Sequence, residues 1–327
     1  MTVRSPIDVS PPRRPVREYR VYPALIERCA ALAPIATAIA HPCDESSLRG
    51  AIEAAEAGLI RPILVGPEAK IRALAEQSGI DLSPYQVIDA AHSHAAAAQA
   101  VAIVRAGEAE ALMKGSLHTD ELMAEIVRKE VGLRTERRIS HAFIMDVPTY
   151  PKPLVVTDAA INIFPDLETK ADIVRNAIDM AHAFGRELPK VAILSAVETV
   201  TPKIPSTIDA AALCKMAERG QITGALLDGP LAFDNAISKE AAAIKGIRSE
   251  VAGDADILLV PDLEAGNILA KQLTFLANAD AAGIVLGARV PIILTSRADS
   301  VRARLASCAI AVLLVEWRRQ AAAMGAE

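Results

Sequence analysis

The chain has 327 residues, of which 52% are hydrophobic, 23% are charged and only 3% are aromatic. This composition excludes a disordered chain and predicts a core built from aliphatic side chains. The net charge of −5 provides no general attraction for nucleic acid or for an anionic membrane. The first 20 residues are rich in proline and arginine, show no signal-peptide pattern, and are expected to form a flexible tail.

The first half of the chain alternates short aliphatic runs with helical segments that end at glycine, the usual residue for a left-handed helix end. Strands are predicted at Ile35–Ala40, Pro62–Gly66, Tyr85–Ala90 and Ala109–Lys114. Helices are predicted at about 44–57, 67–77 and 93–106, and a further helix begins near 118–120.

A proline-rich break at Val147–Pro153 separates this series from a second one. Strands are predicted at Leu154–Thr157, Val191–Ala196, Ala225–Asp228, Ile257–Val260, Ile284–Gly287 and Val290–Ser296. Helices are predicted at about 168–184, from a capping box at Ser206–Asp209 to Gly220, at about 268–277, and from about 299 onward. This alternation predicts an α/β fold with an open parallel sheet, in which ligands bind beyond the carboxyl ends of the strands.

Four polar segments follow predicted strands and are candidate site residues. The segments are Thr295–Arg297, Met113–Thr119, Asp228–Asn235 and Glu264–Asn267. All three residues of the first segment are candidates. In the other three segments the candidates are, in turn, Lys114, Gly115, Ser116 and His118; Asp228, Asp234 and Asn235; and Asn267. Arg297 before a helix N-terminus is suited to grip phosphate, and Lys114 beside Gly115 offers a positive charge that a ligand can approach. The alternatives are a capped loop with a solvated arginine, a lysine that extends to solvent, and ordinary turns or helix caps.

Other chemistries lack a sequence signal. There is no dinucleotide-binding glycine pattern, no phosphate-binding P-loop and no HExxH motif. His92 and His94 are two residues apart near a helix start, a spacing that favours a surface or capping role over metal ligation. The four cysteines, Cys29, Cys43, Cys214 and Cys308, form no CxxC pair, which predicts reduced thiols in a cytoplasmic protein.

The candidate segments, in this order, resemble the phosphate acetyltransferase and phosphate butyryltransferase family, and look more like its butyryltransferase branch. The resemblance covers roughly residues 20 to 315. It is carried by LMKGSLHTDEL (112–122), VGLRTERRISH (131–141), VTDAAINIFPDLETKADIVRNAI (156–178), PKIPSTIDAAALCKMAERGQITGALLDGPLAFDNAIS (202–238), ADILLVPDLEAGNILAK (255–271) and VPIILTSRADS (290–300).

The resemblance implies a three-layer, two-domain α/β architecture like that of isocitrate and isopropylmalate dehydrogenases, with the second domain inserted into the first. Domain I would comprise residues 21–152 and 291–327, and domain II residues 153–290. The active site would lie in the cleft between them, and the chain would form a homodimer.

The resemblance also implies a reaction: an acyl group moves between coenzyme A and inorganic phosphate in a ternary complex, without an acyl-enzyme, a metal or a cofactor. Ser296 and Arg297 match the family's active-site pair, with Arg297 assigned to phosphate and Ser296 to the acyl carbonyl or the sulfur. Lys114 is assigned to catalysis, and the other candidates, Thr295 included, to substrate binding. The sequence agrees with direct transfer, because no serine or cysteine adjoins a clear histidine–acid pair.

Two positions depart from the family pattern. Ala303 occupies the position of an aspartate taken as the base for the CoA thiol, and Ala124 that of an arginine that helps to hold phosphate. These departures leave open a non-catalytic acyl-CoA-binding protein. A metal- and nicotinamide-dependent dehydrogenase of the same architecture is a further alternative, although its ligand set is not found in the sequence.

Overall fold

The computed structural model describes residues 21–294 and 300–324. In this part of the chain the strands, numbered in chain order, are β1 (Ile35–Ala40), β2 (Ile60–Gly66), β3 (Gln86–Asp89), β4 (Ala111–Lys114), β5 (Ser140–Asp146), β6 (Leu154–Thr157), β7 (Lys190–Leu194), β8 (Leu226–Leu231), β9 (Ile257–Leu259), β10 (Asp280–Leu286) and β11 (Ile292–Ile293). The helices are α1 (Val21–Cys29), α2 (Glu45–Glu56), α3 (Glu68–Gln77), α4 (Ser93–Arg105), α5 (Thr119–Ile126), α6 (Leu167–Ala183), α7 (Pro205–Glu218), α8 (Phe233–Ile237), α9 (Lys239–Ile244), α10 (Leu263–Leu276) and α11 (Val301–Met324).

The described strands form one mixed sheet, in the order β3-β2-β1-β4-β11-β10-β5-β6-β9-β7-β8. Pairing is parallel from β3 to β11 and again from β6 to β8, whereas β10 is antiparallel to both β11 and β5, and β5 is antiparallel to β6. The two parallel blocks therefore run in opposite directions, and their strands end at opposite edges of the sheet.

One face of the sheet, called the first face here, carries a continuous hydrophobic core. Alternate residues of strands across the whole sheet pack there against α1, α2, α3, α6, α7 and α11. Burial of this aliphatic area is the main stabilisation of the fold, since apolar burial contributes about 25 cal/mol per Å².

The opposite face, called the second face here, carries two separate hydrophobic clusters. One joins β1, β2, β4 and β11 to α4 and α5. The other joins β6, β7, β8 and β9 to α8, α9 and α10. Helices thus cover both faces, and the predicted α/β fold with a mostly parallel sheet is confirmed.

Several predicted elements are confirmed, and others need correction. The strand at Ile35–Ala40 and the helices that stop near Gly58, Gly107 and Gly185 are present. The prediction of a parallel sheet throughout is wrong at its centre, because β5, which was not predicted, and β10 run antiparallel to their neighbours.

Two predicted helix starts are also wrong. The capping box is not formed: α7 begins at Pro205 and its N-cap is Ile204, which makes no side-chain bond. Asn267 does not cap α10 either, because the cap is the Asp262 side chain, which accepts from the backbone N–H of Ala265 at 2.9 Å.

No described helix combines the length and the apolar character needed to span a bilayer.

Candidate active site

The centre of the second face lies between the two hydrophobic clusters, over β5 and β10. Side chains alternate along a strand, and His141 and Gly283 point to this face between neighbours that belong to one cluster or the other. A side chain at position 283 would meet the imidazole Nε2 of His141 at 3.0 Å and the carbonyl oxygen of Leu294 at 3.3 Å. The His141 ring therefore occupies the space that Gly283 leaves open.

His141 is a buried histidine, 2% exposed, and its Nδ1 has no hydrogen-bond partner among the described residues. Burial lowers the pKa of the imidazole to about 4, although the nearby Asp158 carboxylate opposes this shift. The ring stays neutral near pH 7 and stacks edge-to-face on Phe143, with ring centroids 4.4 Å apart.

A loop that starts at Asp158 closes one end of this central region. Both carboxylate oxygens of Asp158 are used: Oδ1 accepts from the backbone N–H of Ala160 and Ile161, and Oδ2 from the backbone and side-chain amides of Asn162. Asn162 also donates to the carbonyl oxygen of Ile139 at 2.9 Å, across the start of β5. Asn267 on α10 donates to the carbonyl oxygen of Ala159 at 3.3 Å, so this candidate residue supports the same loop.

Lys114, Gly115 and Ser116 lie together where β4 ends, against the end of β1. The backbone N–H of Gly115 donates to the carbonyl oxygen of Ala40 at 2.9 Å, and that of Ser116 donates to His41 at 2.8 Å. A Cβ on Gly115 would lie 2.5 Å from the His41 carbonyl oxygen, so only glycine fits between the two loops. The ammonium of Lys114 donates to the carbonyl oxygen of Gly115 at 3.3 Å.

His41 is a functional candidate that the sequence reasoning missed. Its Nδ1 lies 3.0 Å from the Ser116 hydroxyl, and its backbone has a φ of 56°, in the left-handed region that non-glycine residues rarely adopt. A signal was available, because His41 directly follows a predicted strand, as Lys114 does. The Glu121 carboxylate acts on His41 through its charge, and no hydrogen bond between the two side chains is found among the described residues.

The electrostatic surroundings keep His41 neutral. Burial lowers the pKa of its imidazole first, the Lys70 ammonium lowers it further and His92 adds a smaller decrease, whereas Glu121 and Asp44 raise it. His118, the remaining candidate at this edge, is exposed and precedes α5 without a side-chain cap bond.

Asp228, Asp234 and Asn235 lie apart from the Lys114 segment. They follow or belong to β8, seven places from β4 in the sheet, which is about 34 Å along the sheet at the usual strand spacing. Asp228 accepts from the backbone N–H of Gly229 at 2.9 Å and Asp234 is exposed. Asn235 is fully buried with its Oδ1 unpartnered among the described residues.

Thr295, Ser296 and Arg297 lie outside the described residues, so their assigned roles remain predictions. Beyond them, the Ser300 hydroxyl accepts from the backbone N–H of Ala303 at 3.1 Å and caps α11. Ala303 is 5% exposed and belongs to the core of the first face, whereas Ala124 is exposed on α5.

Comparison with known proteins shows the family. Residues 92–312 match the family described as phosphate acetyl/butaryl transferase. A phosphate acetyltransferase of Rhizobium meliloti is 69% identical over 300 residues, covering 92% of this chain and 95% of that protein. A phosphate butyryltransferase of Clostridium acetobutylicum is 42% identical over 280 residues, covering 86% of this chain and 92% of that protein. The chain belongs to this family.

Solved structures agree with the fold. A branched-chain phosphotransacylase from Enterococcus faecalis V583 superposes with a TM-score of 0.75 at 31% identity, covering 86% of this chain and 99% of that one. A phosphotransacetylase from Streptococcus pyogenes gives a TM-score of 0.77 at 24% identity, covering 90% and 98%. The higher identity to a protein named an acetyltransferase does not support the expected nearness to the butyryltransferase branch.

Proposed function

We propose that this chain, as a member of that family, catalyses reversible transfer of a short acyl group, acetyl to butyryl, between coenzyme A and inorganic phosphate. The observation that carries the proposal is the 69% identity to a phosphate acetyltransferase over 92% of the chain. Relatives named for acetyl and for butyryl transfer share the family, so the proposal covers both acyl lengths.

We further propose direct transfer in a ternary complex. The enzyme must then hold phosphate, stabilise the oxyanion that develops on the acyl carbonyl, and accommodate the CoA thiolate. Arg297 and Ser296 are assigned to phosphate and to the acyl group, and Lys114 to the developing negative charge. The Ser116 hydroxyl is held by main-chain groups at 2.9 and 3.3 Å, which supports a binding role for it over a nucleophilic one.

The two clusters on the second face support a two-domain architecture of the isocitrate dehydrogenase type, with the cleft over β5 and β10. The buried residues of the first cluster come from residues 38–139 and 285–292, and those of the second from residues 145–279. The partly buried Ile161 also packs against the first cluster. Domain boundaries at 21–152 with 291–327, and at 153–290, remain our proposal. This arrangement places three of the candidate residues in domain II, far from the reacting atoms: Asp228, Asp234 and Asn235.

A homodimer is proposed through α10. Ile268 and Phe275, seven residues apart, lie on one face of this helix, and Phe275 and Leu276 are 82% and 84% exposed. Such exposed apolar stripes mark association surfaces. A cytoplasmic location is part of the same proposal and is supported by four free cysteines.

The test is phosphate-dependent release of CoA. Purified protein is mixed with acetyl-, propionyl-, butyryl- or hexanoyl-CoA, with and without phosphate, and the free thiol is measured. We expect release only with phosphate, accompanied by acyl phosphate, and no loss of rate with EDTA or need for a nicotinamide cofactor. Thioester cleavage at the same rate without phosphate would identify a hydrolase, and no cleavage at all would contradict the proposed function.

A further inference from the structure

The contacts around Ser116 favour one of the two neutral tautomers of the His41 imidazole. The Ser116 hydroxyl oxygen lies 2.9 Å from the His41 carbonyl oxygen, 3.3 Å from the Cys43 backbone nitrogen and 3.0 Å from His41 Nδ1. A hydroxyl has one proton and two lone pairs, so it can donate once and accept twice.

The His41 carbonyl oxygen also accepts from the backbone N–H of Ser116 at 2.8 Å and from that of Cys43 at 2.9 Å, and the hydroxyl lies close enough to be a third donor. The carbonyl oxygen has no proton, so the hydroxyl must donate to it, because two oxygens 2.9 Å apart without a proton between them repel each other. The Cys43 N–H is shared between this carbonyl oxygen at 2.9 Å and the hydroxyl oxygen at 3.3 Å. The third contact then requires a proton on Nδ1 of His41, which leaves the lone pair on Nε2.

The same arrangement shows what Ser116 does not do. Its hydroxyl proton is directed at a carbonyl oxygen, and the imidazole nitrogen beside it is a donor. In this arrangement His41 does not activate Ser116 as a nucleophile. The basic atom of this pair is Nε2, on the side of the ring away from Ser116.

Access and position suit a reacting group. His41 is half-buried, unlike the fully buried His141, so a ligand can reach its ring. It lies at the carboxyl end of β1, in direct contact with the Lys114–Ser116 segment at the end of the neighbouring strand β4. The constrained backbone of His41 and the close fit of Gly115 fix this position.

The proposed reaction, on which this inference rests, needs a proton acceptor for the CoA thiol. Ala303 has no titratable group and faces the core of the first face. We propose that His41, oriented by Ser116, is the general base that takes the thiol proton through Nε2.

In the direction that makes acyl-CoA, Nε2 accepts the thiol proton while the sulfur attacks the carbonyl carbon of the acyl phosphate. The C–S bond forms, the bond from the carbonyl carbon to the bridging oxygen breaks, and phosphate leaves with that electron pair. The imidazolium then returns its proton to the departing phosphate or to solvent. In the reverse direction, phosphate attacks the thioester and the imidazolium protonates the departing thiolate.

The charged groups that face His41 agree with this role. Lys70 on α3 and His92 before α4 disfavour the imidazolium, whereas Glu121 on α5 and Asp44 before α2 favour it, and the lowered pKa shows that burial and Lys70 prevail. His41 is then in its basic form at neutral pH, and activity should fall as pH drops through a pKa below the ordinary value of 6.5.

The decisive variant is His41→Asn. Asparagine tolerates the left-handed backbone better than most residues, and its side-chain amide can donate to Ser116 in place of Nδ1. It has no atom equivalent to Nε2. General-base catalysis contributes about 10²- to 10⁴-fold, so kcat/KM for CoA with acetyl phosphate should fall by roughly this factor at pH 7. The KM for phosphate in the opposite direction should change less than about threefold.

The pH dependence separates a base from a structural residue. A thiol ionises without help above about pH 8.5, so the loss in His41→Asn should shrink at least tenfold between pH 7 and pH 9.5. The matched control is His94→Asn, which removes an exposed imidazole from α4 and should keep the wild-type rate. The proposal is overturned if folded His41→Asn has a kcat/KM for CoA within threefold of the wild-type value at pH 7. It is also overturned if kcat/KM is reduced by the same factor at both pH values.

A second measurement does not depend on turnover. In histidine-labelled wild-type protein, ¹⁵N chemical shifts, assigned with His41→Asn, should show the proton of His41 on Nδ1, and Ser116→Ala should remove this preference. A proton on Nε2 in the wild type overturns the proposal. If the wild-type protein shows no phosphate-dependent acyl transfer, both the proposed function and the role of His41 are refuted. If the wild type is active and His41→Asn is equally active, only the role of His41 is refuted.

Discussion

Replacing His141 with leucine should remove much of the acid sensitivity of this protein. The native imidazole has a pKa of about 4 because it is buried, whereas an unfolded chain has the ordinary value of 6.5. Between these values the unfolded state binds a proton that the native state does not, so the free energy of unfolding decreases as pH falls. At 1.36 kcal/mol per pKa unit, the loss is about 2 kcal/mol by pH 5 and about 3 kcal/mol by pH 4.

The assay is urea unfolding followed by the fluorescence of Trp317, the single tryptophan of the chain. The free energy of unfolding is measured at pH 7.5 and pH 5 for the wild type, His141→Leu and the exposed control His94→Leu. Taking the difference between the two pH values cancels any constant packing effect of the substitution. We expect His141→Leu to lose about 2 kcal/mol less than the wild type, and His94→Leu to follow the wild type. If the pH-dependent decreases in the free energy of unfolding differ by less than about 0.5 kcal/mol between the wild type and His141→Leu, His141 is not held neutral by burial.

Three further predictions concern other parts of the molecule. Gly115→Ala places a Cβ 2.5 Å from the His41 carbonyl oxygen and should destabilise the fold by roughly 1–3 kcal/mol. A melting temperature equal to that of the wild type would argue against the tight fit of the two loops. Arg297→Lys should keep the fold but lower kcat/KM for phosphate about tenfold to a few hundredfold, because a lysine lacks the planar fork of arginine and a charged hydrogen bond contributes about 1.5–3 kcal/mol; wild-type phosphate kinetics would exclude the assigned role. Phe275→Glu should shift the protein from dimer to monomer in sedimentation velocity, whereas Lys239→Glu, an exposed change on α9, should not; a dimer that survives Phe275→Glu would exclude the α10 interface.

Local sequence signals predicted most of the individual elements. Aliphatic runs bounded by glycine identify β1, β2 and β4 because both faces of a buried strand must be apolar. The same rule missed β5, whose sequence begins with the polar Ser140 and His141 after a charged segment. His141 lies at the centre of the second face, between the two apolar clusters. A polar residue at this position interrupts the apolar pattern by which the other strands were predicted.

Strand order was beyond the reach of these signals. The rule that ligands bind at strand ends selected both Lys114 and Asp228. It does not tell at which edge of the sheet a strand ends or how many strands lie between two candidates. That information depends on the antiparallel orientation of β5 and β10, which is set by long-range pairing such as Gly283 with Phe143 and leaves no local pattern.

The reversal at β5 and β10 decides where a shared site can lie. β4 and β6 end at opposite edges of the sheet, so residues that follow them, such as Lys114 and Asp158, cannot meet at one edge. Alternation along the strands nevertheless directs Lys114 and His141 to the second face, since Leu112 and Phe143, two residues away on the same strands, both belong to its clusters. A ligand that uses both halves of the chain, as we propose, would therefore lie across this face, over the His141 ring that fills the space beside Gly283. In the proposed two-domain arrangement, the separation of the two clusters would make the antiparallel centre of the sheet, with His141 buried in it, the floor of the cleft.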